Sequence, residues 1–184
     1  MEQIYSALRL ARGKRVAVYN VFILALCFMV GIGIMDMGGL SWLHFGMVMA
    51  AGAVICIIHA GISLSRPSLD KMLTSLLDRR SVGPAFRTGI DRQLHTQSCF
   101  SFYNEHYRMS LFITDNWYIL ISTNASLICN KEEIRDVSRY FHTNHTDYCL
   151  KVEFYDGSKF TCLCHTICDD VVAMTKEHIR GISK

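Results

Sequence analysis

The sequence predicts an α+β membrane protein: a two-helix transmembrane hairpin, then a small, strongly bent antiparallel sheet with a C-terminal helix. Three observations lead there. Two apolar runs, 16–35 and 46–64, carry no Asp, Glu, Lys or Arg, and each is long enough to cross a hydrocarbon core of about 30 Å as a helix. From about Gln97 the hydrophobic period moves toward two, in short stretches rich in aromatic and β-branched residues. After Cys164 the period becomes helical again.

The chain has 184 residues, 51% of them hydrophobic, and the excess lies before Ser65. A hairpin plus one domain of roughly 90 residues accounts for this distribution. The expected divisions are an N-terminal amphipathic segment (1–15), the hairpin (16–64), a juxtamembrane amphipathic helix and linker (65–90), and a domain (91–184). The net charge of +3 comes largely from clusters beside the apolar runs. It forms no concentrated basic face of the kind nucleic-acid binding needs.

Those clusters set an orientation. Arg9, Arg12, Lys14 and Arg15 precede the first run, and Arg66, Lys71, Arg79 and Arg80 follow the second, whereas 36–45 has no Lys or Arg. The positive-inside rule puts both termini in the cytoplasm of an inner or plasma membrane and the short loop outside, with Trp42 at the headgroup layer. The first run is too long for a signal-peptide core, and no A-x-A-like site follows it. A cytoplasmic domain keeps its thiols reduced, so Cys99, Cys129, Cys149, Cys162, Cys164 and Cys168 read as free cysteines. The sequons at Asn124 and Asn144 read as chance matches.

Along the chain, Ile4, Ala7, Leu8 and Ala11 follow helical spacing. They predict either a helix lying in the inner headgroup layer or a frayed lead-in to the first span. Gly31, Gly33, Ala50, Ala51, Gly52, Ala53, Ala60 and Gly61 allow close helix approach. His59 reads as a polar group hydrogen-bonding across the hairpin. Pro67 discourages continuation of the second span, and Ser68 is a candidate cap for a helix over 68–80 with a stripe of Leu69, Met72, Leu73, Leu76 and Leu77. Six strands are expected, at 110–114, 116–122, 125–129, 133–142, 147–155 and 158–164, with 99–103 as a candidate seventh and Asp156-Gly157 as a hairpin turn. In the closing helix Ile167, Val171, Met174 and His178 share a face. Asp169 and Asp170 open it, Lys176 and Arg180 close it, and Gly181 stops it.

LFITDNWYIL (111–120), SLICNKEEIRDV (126–137), YCLKVEFYDGSKFTCLC (148–164) and the closing helix together resemble bacterial membrane-anchored PH-like proteins over about residues 98–182. The resemblance implies a PH-like barrel in a membrane context and carries no catalytic residue with it.

The sharpest chemical feature is Cys162-Leu-Cys164-His165-Thr-Ile-Cys168. Thiolate and imidazole suit zinc, and Cys149, Cys129, His142 or His145 are the candidates to complete a set. The spacing matches no zinc-finger or haem-attachment pattern. Cys162 and Cys164 share a strand face with Phe160, and His165 takes the other, which is the pattern of core residues. His142, His145 and Asp147 read as a solvated loop, Glu132-Glu133 as a charged strand entry, and Trp117 with Ile119 and Ile121 as a buried face. With no Walker A, G-x-G-x-x-G, H-E-x-x-H or G-x-S-x-G motif, the expectation is a non-enzymatic protein without a cofactor. Its partners would be the bilayer and a protein or peptide bound by the domain. The alternatives are a redox or zinc sensor built on Cys149, Cys162, Cys164 and Cys168, and an accessory subunit of a larger membrane complex.

Overall fold

The computed structural model describes residues 1–36, 42–83, 85–95, 99–141 and 148–179. The protein is α+β, with two long apolar helices, two small antiparallel sheets and a C-terminal helix. The helices are α1 (Glu2–Asp36), α2 (Trp42–Ser63), α3 (Arg66–Asp78), α4 (Ala85–Leu94) and α5 (Cys168–His178). The strands are β1 (Phe100–Asn104), β2 (Met109–Ile113), β3 (Trp117–Ile121), β4 (Ser126–Asn130), β5 (Ile134–Phe141), β6 (Tyr148–Phe154) and β7 (Lys159–Leu163). The chain forms two compact units, one of residues 12–70 and one of 1–11 with 71–184.

In the first unit, α1 and α2 are long and apolar enough to cross a membrane, and only 6% and 11% of their most apolar windows are buried within the protein. Phe22, Leu26, Trp42 and Ile57 are among the large side chains left facing outward. The two helices meet at two of the predicted small residues. A Cβ on Gly52 would lie 2.7 Å from Cys27 Sγ, and one on Gly31 2.7 Å from Phe45 Cδ2. Gly33 and Gly61 have open space where a Cβ would stand. Trp42 is the first residue of α2 rather than part of a connecting loop.

The second unit is built around a four-stranded meander, β1-β2-β3-β4, and a three-stranded one, β5-β6-β7. One face of the first sheet, with Leu111, Ile113, Tyr118, Leu120, Leu127 and Cys129, joins Val137, Leu150, Val152 and Phe154 of the second sheet in a single core. From α5, Cys168 and Val171 enter the same core. The other face of the first sheet is also buried: Phe112, Ile119 and Ile128 stand in one register row and are at most 9% exposed. Strands covered on both faces read as continuous apolar runs, and LFI and WYILI do so.

That second face needs a cover, and the helical stripes provide it. The ring of Phe86 on α4 meets Trp117 of β3 at 5.4 Å between centroids, nearly perpendicular. Thr114, just after β2, donates its hydroxyl to Gln93 of α4 at 2.8 Å. The Met1 amino group pairs with Asp91 of α4. Arg108 reaches the Leu10 carbonyl at 3.5 Å. Ile4, Leu8, Leu73, Leu77, Phe86 and Ile90 are all buried. So the first turns of α1, expected on lipid or frayed, bury their apolar stripe in protein and run without a break into the apolar helix.

Two details differ from expectation. The stretch taken as linker contains α4, whose Phe86, Ile90 and Leu94 recur at four-residue intervals and so share a face. Helix α3 begins at Arg66, with Pro67 in its first turn, where a missing N–H costs nothing. Ser68 therefore lies inside the helix, and its hydroxyl accepts from Arg12 at 3.0 Å. The Asp156-Gly157 turn forms as expected, Gly157 at φ +80° supplying the left-handed position between β6 and β7. The expected helix stop at Arg180 and Gly181 lies outside the described residues.

Replacing Leu8, which is fully buried, by Ala is expected to destabilise the β-containing unit by about 2–4 kcal/mol. The check is hydrogen exchange of β2 and β3, which loses protection if the N-terminal stripe belongs to that fold and is unchanged if it lies on lipid.

Candidate functional site

The cysteines predicted as a cluster divide between the two faces of the second sheet. Leu150 stands opposite Cys162 in the register, and Cys149 stands opposite Leu163. Because neighbours on a strand face opposite ways, Cys162 and Cys164 enter the core with Cys168, while Cys149 takes the outer face. Cys162 Sγ lies 3.2 Å from the Ser122 hydroxyl. Cys164 interacts with the thiols of Cys162 and Cys168, and these contacts together with burial keep its proton on well above the usual thiol range. Burial likewise pushes the Cys129 thiol up, with Glu133 adding to the shift. Among the described residues no three His, Cys, Asp or Glu side chains are arranged to hold a metal. His142, His145 and Asp147 lie outside the described residues, as does the His165 side chain.

The surface of the β-containing unit has a cleft of about 470 Å³ lined by Arg79, Arg80, Ser81, Glu133, Phe154, Tyr155 and Asp156. Arg80 organises it. Helix α3 ends in a Schellman-type turn: Val82 N–H reaches the Leu77 carbonyl at 2.9 Å, and Ser81 sits at φ +51°. That turn aims Arg80 at the mouth of the second sheet. Its guanidinium carbon stands 3.5 Å above the Phe154 ring. One terminal nitrogen donates to Asp156 at 3.2 Å and Ser158 at 2.8 Å, and the other pairs with Glu133 at 3.3 Å. The Asp156 carboxyl is held below its ordinary range, first by the Ser158 hydroxyl and backbone N–H and then by Arg80. Glu133, read from sequence as a strand entry, is thus part of an arginine clasp. Glu132 is its unengaged neighbour in the 3₁₀ turn 131–133, where its own N–H is capped by Asn130 at 3.0 Å. Trp117 lies against Phe86 of α4, away from this cleft.

In the other unit, His59 makes the cross-hairpin bond expected of it, to a residue the sequence reading passed over. His59 Nδ1 lies 2.8 Å from Asn20 Oδ1, Asn20 Nδ2 donates to the Cys56 carbonyl at 3.2 Å, and Cys56 Sγ donates back to the Asn20 carbonyl at 3.5 Å. Asn20 thus bridges Cys56 and His59 through the two ends of one carboxamide. Asn20 is the one carboxamide in run 16–35, and that was the available signal. No comparable signal marked Arg80, whose partners lie more than 50 residues away in sequence.

Arg80→Ala is expected to cost about 1–3 kcal/mol of stability, and Arg80→Lys to recover little of it, since an ammonium cannot stack flat on Phe154 while bonding two carboxylates. Denaturant unfolding of the β-containing unit reads both. A short maleimide pulse analysed by mass spectrometry is expected to label Cys99, which is only part-buried, and to spare Cys129, Cys162, Cys164 and Cys168 until the protein unfolds. Early labelling of Cys162, Cys164 and Cys168 would mean an open site. No protein-family model, curated protein or solved structure matches this chain.

Proposed function

We propose that this chain is a non-enzymatic, membrane-anchored binding protein. A two-helix hairpin holds a PH-like β domain on the cytoplasmic face of the membrane, and the domain takes up a protein or peptide partner. The observation that carries the reading is the make-up of the β-containing unit. It is formed by residues 1–11 and 71–184, the two ends of the chain, and the segment between them holds both long apolar helices. An even number of crossings would bring both ends to one side, and the basic flanks support the cytoplasm as that side. Outward-facing Val, Ile, Phe and Met on α1 and α2 suit a lipid surround.

A PH-like reading of the domain is supported by a four-stranded meander, a three-stranded meander and a C-terminal helix in that order. Binding rather than catalysis is supported by a core filled with the domain's own side chains and by outer strands β1, β4, β5 and β7, each at the edge of its sheet. An edge strand can accept an added strand.

Topology reporters test the anchor. Green fluorescent protein fused after Lys184 is expected to fluoresce, and alkaline phosphatase inserted after Gly39 to be active. Phosphatase activity at the C-terminal fusion would sink the proposed orientation. Photo-crosslinkers at Ser101, Tyr155 and Thr161, exposed positions on the domain, test the binding reading in native membranes. Protein adducts at one or more are expected, and none at any of them would count against a binding domain.

A further inference from the structure

The two sheets differ in how they are covered. The first is buried on both faces along β2, β3 and β4, with α4 on its outer side and α1 and α3 joined to α4 through Met1–Asp91 and Arg87–Thr74. The outer face of the second sheet lies on the far side of the core and carries polar, partly exposed residues. Three register rows cross it: Tyr140–Cys149–Leu163, Ser138–Lys151–Thr161 and Asp136–Glu153–Lys159.

Charge on this face is unbalanced. The Glu153 carboxylate, only 15% exposed, is shared by three cations: Arg135, Lys151 at 2.6 Å and Lys159 at 3.8 Å. Its carboxyl is held down at about 2, first by the hydrogen bonds from Lys151 and Arg135. Asp136, in the same row, is matched by Lys176 of α5 at 3.6 Å. The neighbouring clusters differ: Arg139 faces one carboxylate, Asp169, and Arg80 faces two. Arg135 and Lys159 keep 51% and 57% of their side-chain surface open, so they hold bonding capacity beyond Glu153. Beside them runs a less polar row with Tyr140 at its outer end, and β7 is one of the sheet's two edges among the described residues.

We infer that this face binds an acidic, extended protein segment laid along β7, its carboxylates meeting Lys159, Lys151 and Arg135 and its apolar side chains meeting Leu163 and Tyr140. The inference rests on the binding reading above and gives it a place and a partner chemistry. Strand addition at β7 supplies backbone hydrogen bonds, and the excess cations select the sign of the partner. A segment of protein fits better than an anionic lipid surface, because an edge strand offers backbone donors and acceptors that an added strand pairs and lipid headgroups do not.

The test uses the full chain in neutral-lipid nanodiscs and a labelled peptide of alternating Glu and Val, about twelve residues long, read by fluorescence anisotropy. Saturable binding is expected, weakening about ten-fold in Lys151→Glu/Lys159→Glu and falling as salt rises from about 50 to about 500 mM. Glu153→Gln is expected to tighten it by removing the competing carboxylate. Arg139→Glu, outside the face, should leave it unchanged. The reversed double variant should gain binding to the matching Lys/Val peptide, which also reports that it is folded.

Binding insensitive to the lysine reversals overturns the inference. So does a peptide that fails to bind at all. Hydrogen-exchange protection of β7 that appears with anionic nanodiscs and no peptide overturns it in favour of lipid. In each case crosslinks at Ser101 or Tyr155 leave the broader binding reading standing, whereas their absence, with none at Thr161, removes both.

Discussion

The rest of the β-containing unit depends on one constraint: the strands β2, β3 and β4 of its first sheet are buried on both faces. Phe112, Ile119, Ile121 and Ile128 on one side are as buried as Leu111, Leu120 and Leu127 on the other. A sheet of this kind is unstable with either side in water, since each large apolar side chain left exposed forgoes roughly 1.5–3 kcal/mol of burial. The second sheet and α5 cover one side. The other side calls for helical cover, and residues on both sides of the apolar hairpin, from the start of α1 and from α3 and α4, supply it. This is why eleven residues ahead of the first apolar run fold with a domain that begins sixty residues after them.

The same requirement explains the polar contacts. Arg80 leaves the end of α3 and is held by an aromatic face, two carboxylates and a hydroxyl. A single arginine therefore ties the covering helices to the hairpin of the second sheet. In the helical unit, where apolar packing alone gives little register, Asn20, Cys56 and His59 play the corresponding part. Their mutual bonds fix which turn of α1 faces which turn of α2. Each unit thus combines a non-directional apolar interface with one directional clasp, and the clasp sets its register.

The cysteine-rich stretch shows how far spacing can mislead. Cys162-x-Cys164-x₃-Cys168 suggests a ligand set, but strand parity turns Cys162 and Cys164 into a core where burial and mutual hydrogen bonding keep Cys164 protonated. Cys149, the fourth candidate, is one residue out of phase with the core and so lies on the other face. A small, polarizable, weakly polar side chain suits the narrow end of such a core.

Much of the architecture was legible in the sequence. The two apolar runs, β2 to β7 to within a residue or two, the candidate strand that became β1, the Asp156-Gly157 turn and the closing helix follow from local rules of period, propensity and turn chemistry. Even the missed helix α4 was written at Phe86, Ile90 and Leu94. Local rules act over one turn or one strand, so they identify an apolar stripe without naming what it meets. Only the tertiary structure decided that Ile4 and Leu8 face protein, that Arg80 reaches Phe154 and Asp156, and that three cations gather on Glu153. Those pairings join segments dozens of residues apart, and they are chosen by which apolar surfaces remain uncovered after the local elements have formed.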